Sequence, residues 1–165
     1  MIQIIAAAKD DISVIQSLAY SIWPVVYKEM ITEEQINYML ENRYSKQALE
    51  EQMNAGQQFF IAREDGNYLG YAGVAPTETE NMYKLEKLYV LPDNHKKGGG
   101  SILLDAVEQF TIQKGGRELI LQVNRSNAAV GFYKKKGFVI DREADVEIGN
   151  GFYMNDYFMV KKFVK

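Results

Sequence analysis

Between Met82 and Val123 the chain reads strand, glycine loop, helix, strand, and that order leaves few folds open. Met82–Leu91 has the composition of a strand and ends at Pro92-Asp93. Gly98-Gly99-Gly100 follows, then a helical pattern with Ile102, Leu103, Ala106, Val107 and Phe110 on one face. Gly115-Gly116 stops that helix, and Leu119–Val123 reads as a buried strand. Two strands joined through a helix must lie parallel, because a hairpin cannot make that connection. The flanking segments predict something different. Phe59–Ala62 and Tyr68–Val74 surround the turn Asp65-Gly66-Asn67, which predicts antiparallel neighbours. Ahead of them stand a short strand from Ile2 to Ala6 and a helical stretch over 10–54, with an aromatic-rich kink at Trp23-Pro24. Thr32 to Gln35 fits a capping box within it. Behind them come a helix over Ser126–Lys135, closed by Gly137, and strands Phe138–Ala144 and Phe152–Lys161. The expected class is α+β: a mixed, mostly antiparallel central sheet flanked by helices on both faces.

The chain has 165 residues, the length of one domain, and no linker or repeat divides it, so 1–165 is expected to fold as a unit. Nineteen basic against 22 acidic side chains leave net charge −3, which disfavours nucleic acid as partner. Cysteine is absent and histidine occurs once, so neither a thiol nucleophile nor a cysteine-ligated metal site is available, and no metal is expected. No apolar run approaches the ~18 residues of a membrane span and no signal-peptide pattern opens the chain. The expectation is a cytoplasmic protein without a membrane partner.

The glycine loop carries the first chemical signal. His95-Lys96-Lys97-Gly98-Gly99-Gly100-Ser101 leads into a helix, whose first amides and positive dipole end can hold an anion. A Walker A loop would need Gly-Lys-Ser/Thr, but Ser101-Ile102 follows Gly100; a dinucleotide fingerprint would need glycine where Leu103 stands. The remaining readings are a site for another phosphate ligand and a plain flexible turn.

A second block decides between them. Asn124-Arg-Ser-Asn127-Ala-Ala-Val-Gly-Phe132-Tyr133-Lys-Lys-Lys-Gly137-Phe138 follows a strand. Together with Leu88-Tyr89-Val90-Leu91-Pro92 and His95-x-x-Gly98-x-Gly100, it resembles the GNAT superfamily of acetyl-CoA-dependent N-acetyltransferases. The likeness spans about residues 2 to 162 in the expected order of elements. Two departures stand out: His95 replaces a glutamine or arginine of the pyrophosphate loop, and Asn127 lies one residue beyond the usual asparagine. Tyr27, Glu34-Gln35-Ile36, Tyr44-Ser45 and the segment Ile148–Met159 are similar to the spermidine/spermine N-acetyltransferase-like branch.

The resemblance implies direct acetyl transfer from acetyl-CoA to a primary amine, a polyamine or similar small cation. The alternatives are a protein N-terminal or lysine acetyltransferase and a non-catalytic acyl-CoA-binding regulatory module. Tyr133 matches the family's general acid at the coenzyme sulfur, with core packing as its plainer reading. Glu86 is the candidate base, placed by alternation on the face of Leu88, or else a surface charge paired with Lys84 or Lys87. Coenzyme contacts are implied for Leu88, Tyr89 and Val90 through their backbone, for His95, Lys96, Lys97, Gly98, Gly99, Gly100 and Ser101 in the loop, for Asn124 or Asn127, and for Lys135. Trp23, Tyr27 and Tyr38 are expected at the acceptor, where Glu143, Asp145, Glu147 and Asp156 add negative charge; the aromatic three also fit an ordinary core. The final strands could support a homodimer, as is common in the superfamily.

Overall fold

A computed structural model describes residues 1–163, and within it the side chains of residues 95–97 are left undescribed. Seven strands form one sheet: β1 (Gln3–Ala7), β2 (Gln58–Glu64), β3 (Asn67–Pro76), β4 (Met82–Val90), β5 (Glu118–Asn124), β6 (Val139–Gly149) and β7 (Phe152–Lys162). Their spatial order is β1-β2-β3-β4-β5-β7-β6. Every neighbouring pair is antiparallel except β4 and β5, which the helix crossover makes parallel. The helices are α1 (Ile12–Val26), α2 (Glu33–Arg43), α3 (Lys46–Asn54), α4 (Gly99–Gln113) and α5 (Ala129–Lys135).

The periodicity of each helix selects the sheet face that it covers. Ile15, Ala19, Ile22 and Trp23 of α1 join Ile36 and Leu40 of α2 and Leu49 of α3 over Phe59, Ile61 and Tyr71. Leu103, Leu104 and Val107 of α4 cover the opposite face with Val74, Leu85, Leu119 and Leu121. Caps set the helix starts: the Thr32 hydroxyl accepts from the Gln35 amide at 3.0 Å and that of Ser45 from the Ala48 amide at 3.1 Å. Helix α1 continues through Pro24 to Val26, with the amide of Tyr27 bonded back to the Trp23 carbonyl. Proline removes one donor there without ending the helix.

Two segments differ from expectation. Helix α5 starts at Ala129, three residues later than expected. The Asn124 and Asn127 side chains accept from the Ser126 and Ala129 amides at 2.9 and 2.8 Å, holding that stretch in turns rather than helix. Strand β6 runs on to Gly149 because Asn150 and Gly151, at φ 55° and 78°, make a tight hairpin that lets it pair with β7 from Phe152 to Val160.

The feature that positions the site is a fork. Strands β4 and β5 pair only from Met82/Glu118 to Leu85/Leu121, and beyond that point they diverge. Where they part, β4 carries a bulge: Lys87 faces Gly73 and Leu85 faces Val74, so Glu86 is an extra residue. Tyr83, Leu85, Leu88 and Val90 consequently share the α4 face, while Tyr89 packs on the α1 side and Lys87 lies over Tyr44 and Phe59 there. The expectation that Glu86 shares a face with Leu88 is therefore corrected; the bulge interrupts the alternation on which it rested.

Candidate active site

Three adjoining cavities, each sharing lining residues with the next, form a trough along the fork. At one end, Leu88, Val90, Gly98, Gly100, Ser101, Asn127, Phe132 and Tyr133 line a cleft at the start of α4. Its floor passes between the diverging strands, where Glu86, Leu121, Val123 and Ala129 join Leu88 and Tyr133. At the other end lies a cavity walled by Trp23, Tyr27, Tyr44, Tyr89, Glu86, Gln122 and Asp156.

The first part fits an anionic, extended ligand. Gly98 caps α4 with φ 84°, a left-handed conformation that favours glycine, and no side chain caps the helix. The first amides of a 15-residue helix are thereby left to a ligand. A Cβ on Gly100 would stand 3.6 Å from Phe132 and 3.8 Å from Val90, ordinary contact distances. Packing does not demand glycine there, but a side chain would take up space in the cleft. Gly99 is buried against Val90. The backbone of His95, Lys96 and Lys97 forms a 3-10 turn (Pro92–Lys97), and their side chains lie outside the described residues.

Other expected coenzyme residues divide. Asn127 lines the cleft, whereas Asn124 lies on the acceptor side and is 7% exposed. That corrects the assignment of Asn124: strand β5 ends with its side chain turned away from α4. Lys135 is exposed on α5 and lines none of the three parts. The Tyr89 ring points into the acceptor cavity, its hydroxyl 2.8 Å from that of Tyr27, leaving only its backbone toward the fork.

Tyr133 stands where the cleft meets the fork, its ring held against Phe132 and Phe138 at centroid distances of 5.3 and 5.6 Å. Burial pushes its phenol well above the ordinary tyrosine range, so it stays protonated at neutral pH. Glu86 lines both the fork and the acceptor cavity, with Oε1 3.6 Å from the Lys84 ammonium. Trp23 and Tyr27 are core residues, each at most 5% exposed, and both also wall the cavity. Tyr38 is different. It stacks near Phe152 at 5.4 Å, donates to the Ile148 carbonyl at 3.4 Å, and lines none of the three parts. Its expected place at the acceptor is corrected: it fastens the β6–β7 hairpin to α2.

One group escaped the sequence reading, and a second was named there only among four charges. Lys87 is 8% exposed, and its ammonium donates to the side-chain carbonyls of Gln52 and Gln57 at 2.7 and 2.9 Å. Burial lowers its pKa to about 7. The unfolded chain therefore binds more protons above that pH, and stability rises with pH. Chemical unfolding between pH 7 and about 9.5 should show a slope approaching ~1.4 kcal/mol per unit, flattened by Lys87→Met. Above that window the buried tyrosines act with the opposite sign, as for Tyr89, which burial pushes up to about 12. The second group is Asp156, one of four charged side chains expected near the acceptor. Glu143 and Asp145 are both taken by Arg125 at 2.6 Å on the surface, whereas Asp156 is 3% exposed inside the cavity. Its place two residues after buried Met154 was the available signal.

The Acetyltransferase (GNAT) domain model matches residues 27–158, most of the chain and both strands of the fork. The chain belongs to the acetyltransferase (GNAT) domain family. The GNAT domain is 30% identical to spermidine N(1)-acetyltransferase of Thermoplasma acidophilum, over 93% of this chain and 92% of that one. It is 35% identical to an uncharacterized N-acetyltransferase of Mycobacterium bovis over 62% of this chain; the match spans 65% of that relative's length, just under two thirds. Among solved structures, the PaiA N-acetyltransferase of T. acidophilum in complex with coenzyme A superposes with TM-score 0.83 at 27% identity, covering 99% of each chain. Among the described residues no cluster of His, Asp or Glu could hold a metal ion, and no helix is long and apolar enough to cross a membrane.

Proposed function

We propose that this GNAT domain transfers the acetyl group of acetyl-CoA to a primary amine of a polyamine or a similar small cation. The observation that carries this reading is the trough, which joins an anion-binding helix start to an aromatic cavity holding a buried carboxylate. The spermidine acetyltransferase relative supports the same acceptor class. A cavity enclosed by α1, α2 and the β6–β7 hairpin suits a slender amine better than a folded protein surface.

Acetyl-CoA supplies an activated thioester carbonyl. In our reading, the α4 amides and the loop at Gly98–Ser101 hold the pyrophosphate. The unpaired β4 edge at Leu88–Val90 receives the pantetheine arm as an added strand. Asn127 lies beside that arm. Glu86, directly or through water, takes one proton from the acceptor's ammonium, since only the neutral amine is nucleophilic. As the carbon–nitrogen bond forms and the carbon–sulfur bond breaks, Tyr133 gives its proton to the departing sulfur. The second proton lost by the nitrogen restores the phenol. Trp23 and Tyr27 offer ring faces to the cation.

Thermal unfolding with acetyl-CoA at about 100 times Kd should gain roughly 2.7 kcal/mol, a rise of about 5–11 °C, with far smaller shifts from free adenosine phosphates. Release of the CoA thiol with a panel of amines then reads turnover. A shift without turnover would leave the regulatory-module reading standing, and no shift would remove the coenzyme assignment.

A further inference from the structure

The acceptor cavity contains a carboxylate that the rest of the protein leaves half-satisfied. Asp156 accepts from Gln122 Nε2 through Oδ2 at 2.7 Å, while Oδ1 is buried with no hydrogen-bond partner. Among the described residues the other buried side-chain polar atom in that condition is Trp23 Nε1, on the same cavity. Buried polar atoms are costly to leave unpaired, so their concentration in one cavity marks it as shaped for a polar ligand.

The charges around Asp156 narrow what that ligand is. Lys84 is engaged by Glu86 at 3.6 Å and by the Gln122 carbonyl at 3.4 Å, and Lys87 by its two glutamines. Arg125 is bound to Glu143 and Asp145, while Arg43 and Glu147, both exposed, line the same cavity with opposite charges, which leaves Asp156 as its buried carboxylate. Burial raises the Asp156 pKa, and the Gln122 bond and the charges of Arg125, Lys84 and Arg43 partly offset that rise. A cationic N–H donor reaching Oδ1 would complete its hydrogen bonding and favour its ionised form.

Position along the trough assigns the role. Tyr133 and Glu86 both line the fork; Asp156 lines the acceptor cavity and not the fork. Resting on the polyamine reading, we infer that Asp156 binds the second, non-reacting ammonium of a diamine or polyamine through Oδ1, and so sets preference for diamines over monoamines. Glu86 and Tyr133 then attend the reacting end.

The test compares 1,4-diaminobutane with butylamine, which differ in the second ammonium, in the wild type and in Asp156→Asn and Asp156→Glu. The wild type should prefer the diamine. Asp156→Asn should raise KM for the diamine by on the order of 10-fold or more and leave KM for butylamine and the acetyl-CoA melting shift unchanged. Asp156→Glu, which keeps the charge but advances it by one methylene, should move the optimum toward a shorter diamine. Equal losses for both amines, or an unchanged diamine KM in Asp156→Asn with an intact acetyl-CoA shift, would overturn the inference. A wild type that binds acetyl-CoA and turns over neither amine would overturn the polyamine reading and this inference with it. That outcome is distinct because the wild type itself fails.

Discussion

Replacing Tyr133 by phenylalanine should lower kcat by about 10²–10⁴-fold and leave both KM values essentially unchanged. The reason is geometric. The ring is held by Phe132 and Phe138, and phenylalanine keeps those contacts while removing one hydroxyl at the junction of cleft and fork. Substrate positioning would survive and proton donation to sulfur would not. Steady-state kinetics decide the matter together with a melting curve, in which the variant should stay within about 1 kcal/mol of the wild type. Full turnover in the variant would return Tyr133 to the core and leave solvent or another group to protonate the thiolate.

The second large effect concerns Gly70, which is distant from the chemistry in sequence. Strand β3 pairs Gly70 with Val90, and a Cβ there would collide with the Tyr89 carbonyl oxygen and lie 3.0 Å from Val90 Cα. Both are main-chain atoms of the strand end proposed to carry the pantetheine arm, so neither can rotate aside. Gly70→Ala should force β3 and β4 apart, destabilise the fold by about 1–3 kcal/mol, and lower Tm by on the order of 5–10 °C. It should also reduce the acetyl-CoA melting shift, since Val90 lines the coenzyme cleft. Gly131 in α5 is the internal comparison: nothing lies within 4 Å of an added Cβ, and alanine there should be neutral or gain up to ~1 kcal/mol. Equal melting temperatures for the two variants would refute the crowding argument.

What the sequence made legible is largely local in origin. Gly98 announces itself because a left-handed helix cap favours glycine, and Phe132-Tyr133 because its helix ends at a second left-handed glycine, Gly137. The parallel pair followed from the intervening helix alone. Harder to read were features that depend on which residues face one another across strands. The extra residue at Glu86 is defined only against Gly73 and Val74, and the Asp156–Gln122 bond only by the register of β5 with β7. Tyr38 looked like an acceptor residue because an aromatic at helical spacing gives no sign of what lies opposite; here it is the Gly149 turn, where a Cβ would collide with its hydroxyl. Asn124 and Asn127 were inseparable in sequence, since three residues of turn decide which of them looks toward α4.

The bulge in β4 has a consequence for what changes this protein can tolerate. Side chains along a strand alternate, so one supernumerary residue inverts the alternation for everything after it. Before Glu86, odd-numbered residues of the strand face α4; after it, even-numbered ones do. Deleting Glu86 would therefore leave the faces as they are: Leu85, Lys87, Leu88, Tyr89 and Val90 would alternate without interruption, Leu88 and Val90 still toward α4 and Tyr89 still toward the aromatic cavity. What the deletion would take away is the carboxylate and, with it, the bend and added twist that the bulge gives β4 where it leaves β5. The two walls of the trough survive the loss of this residue; the kink between them does not.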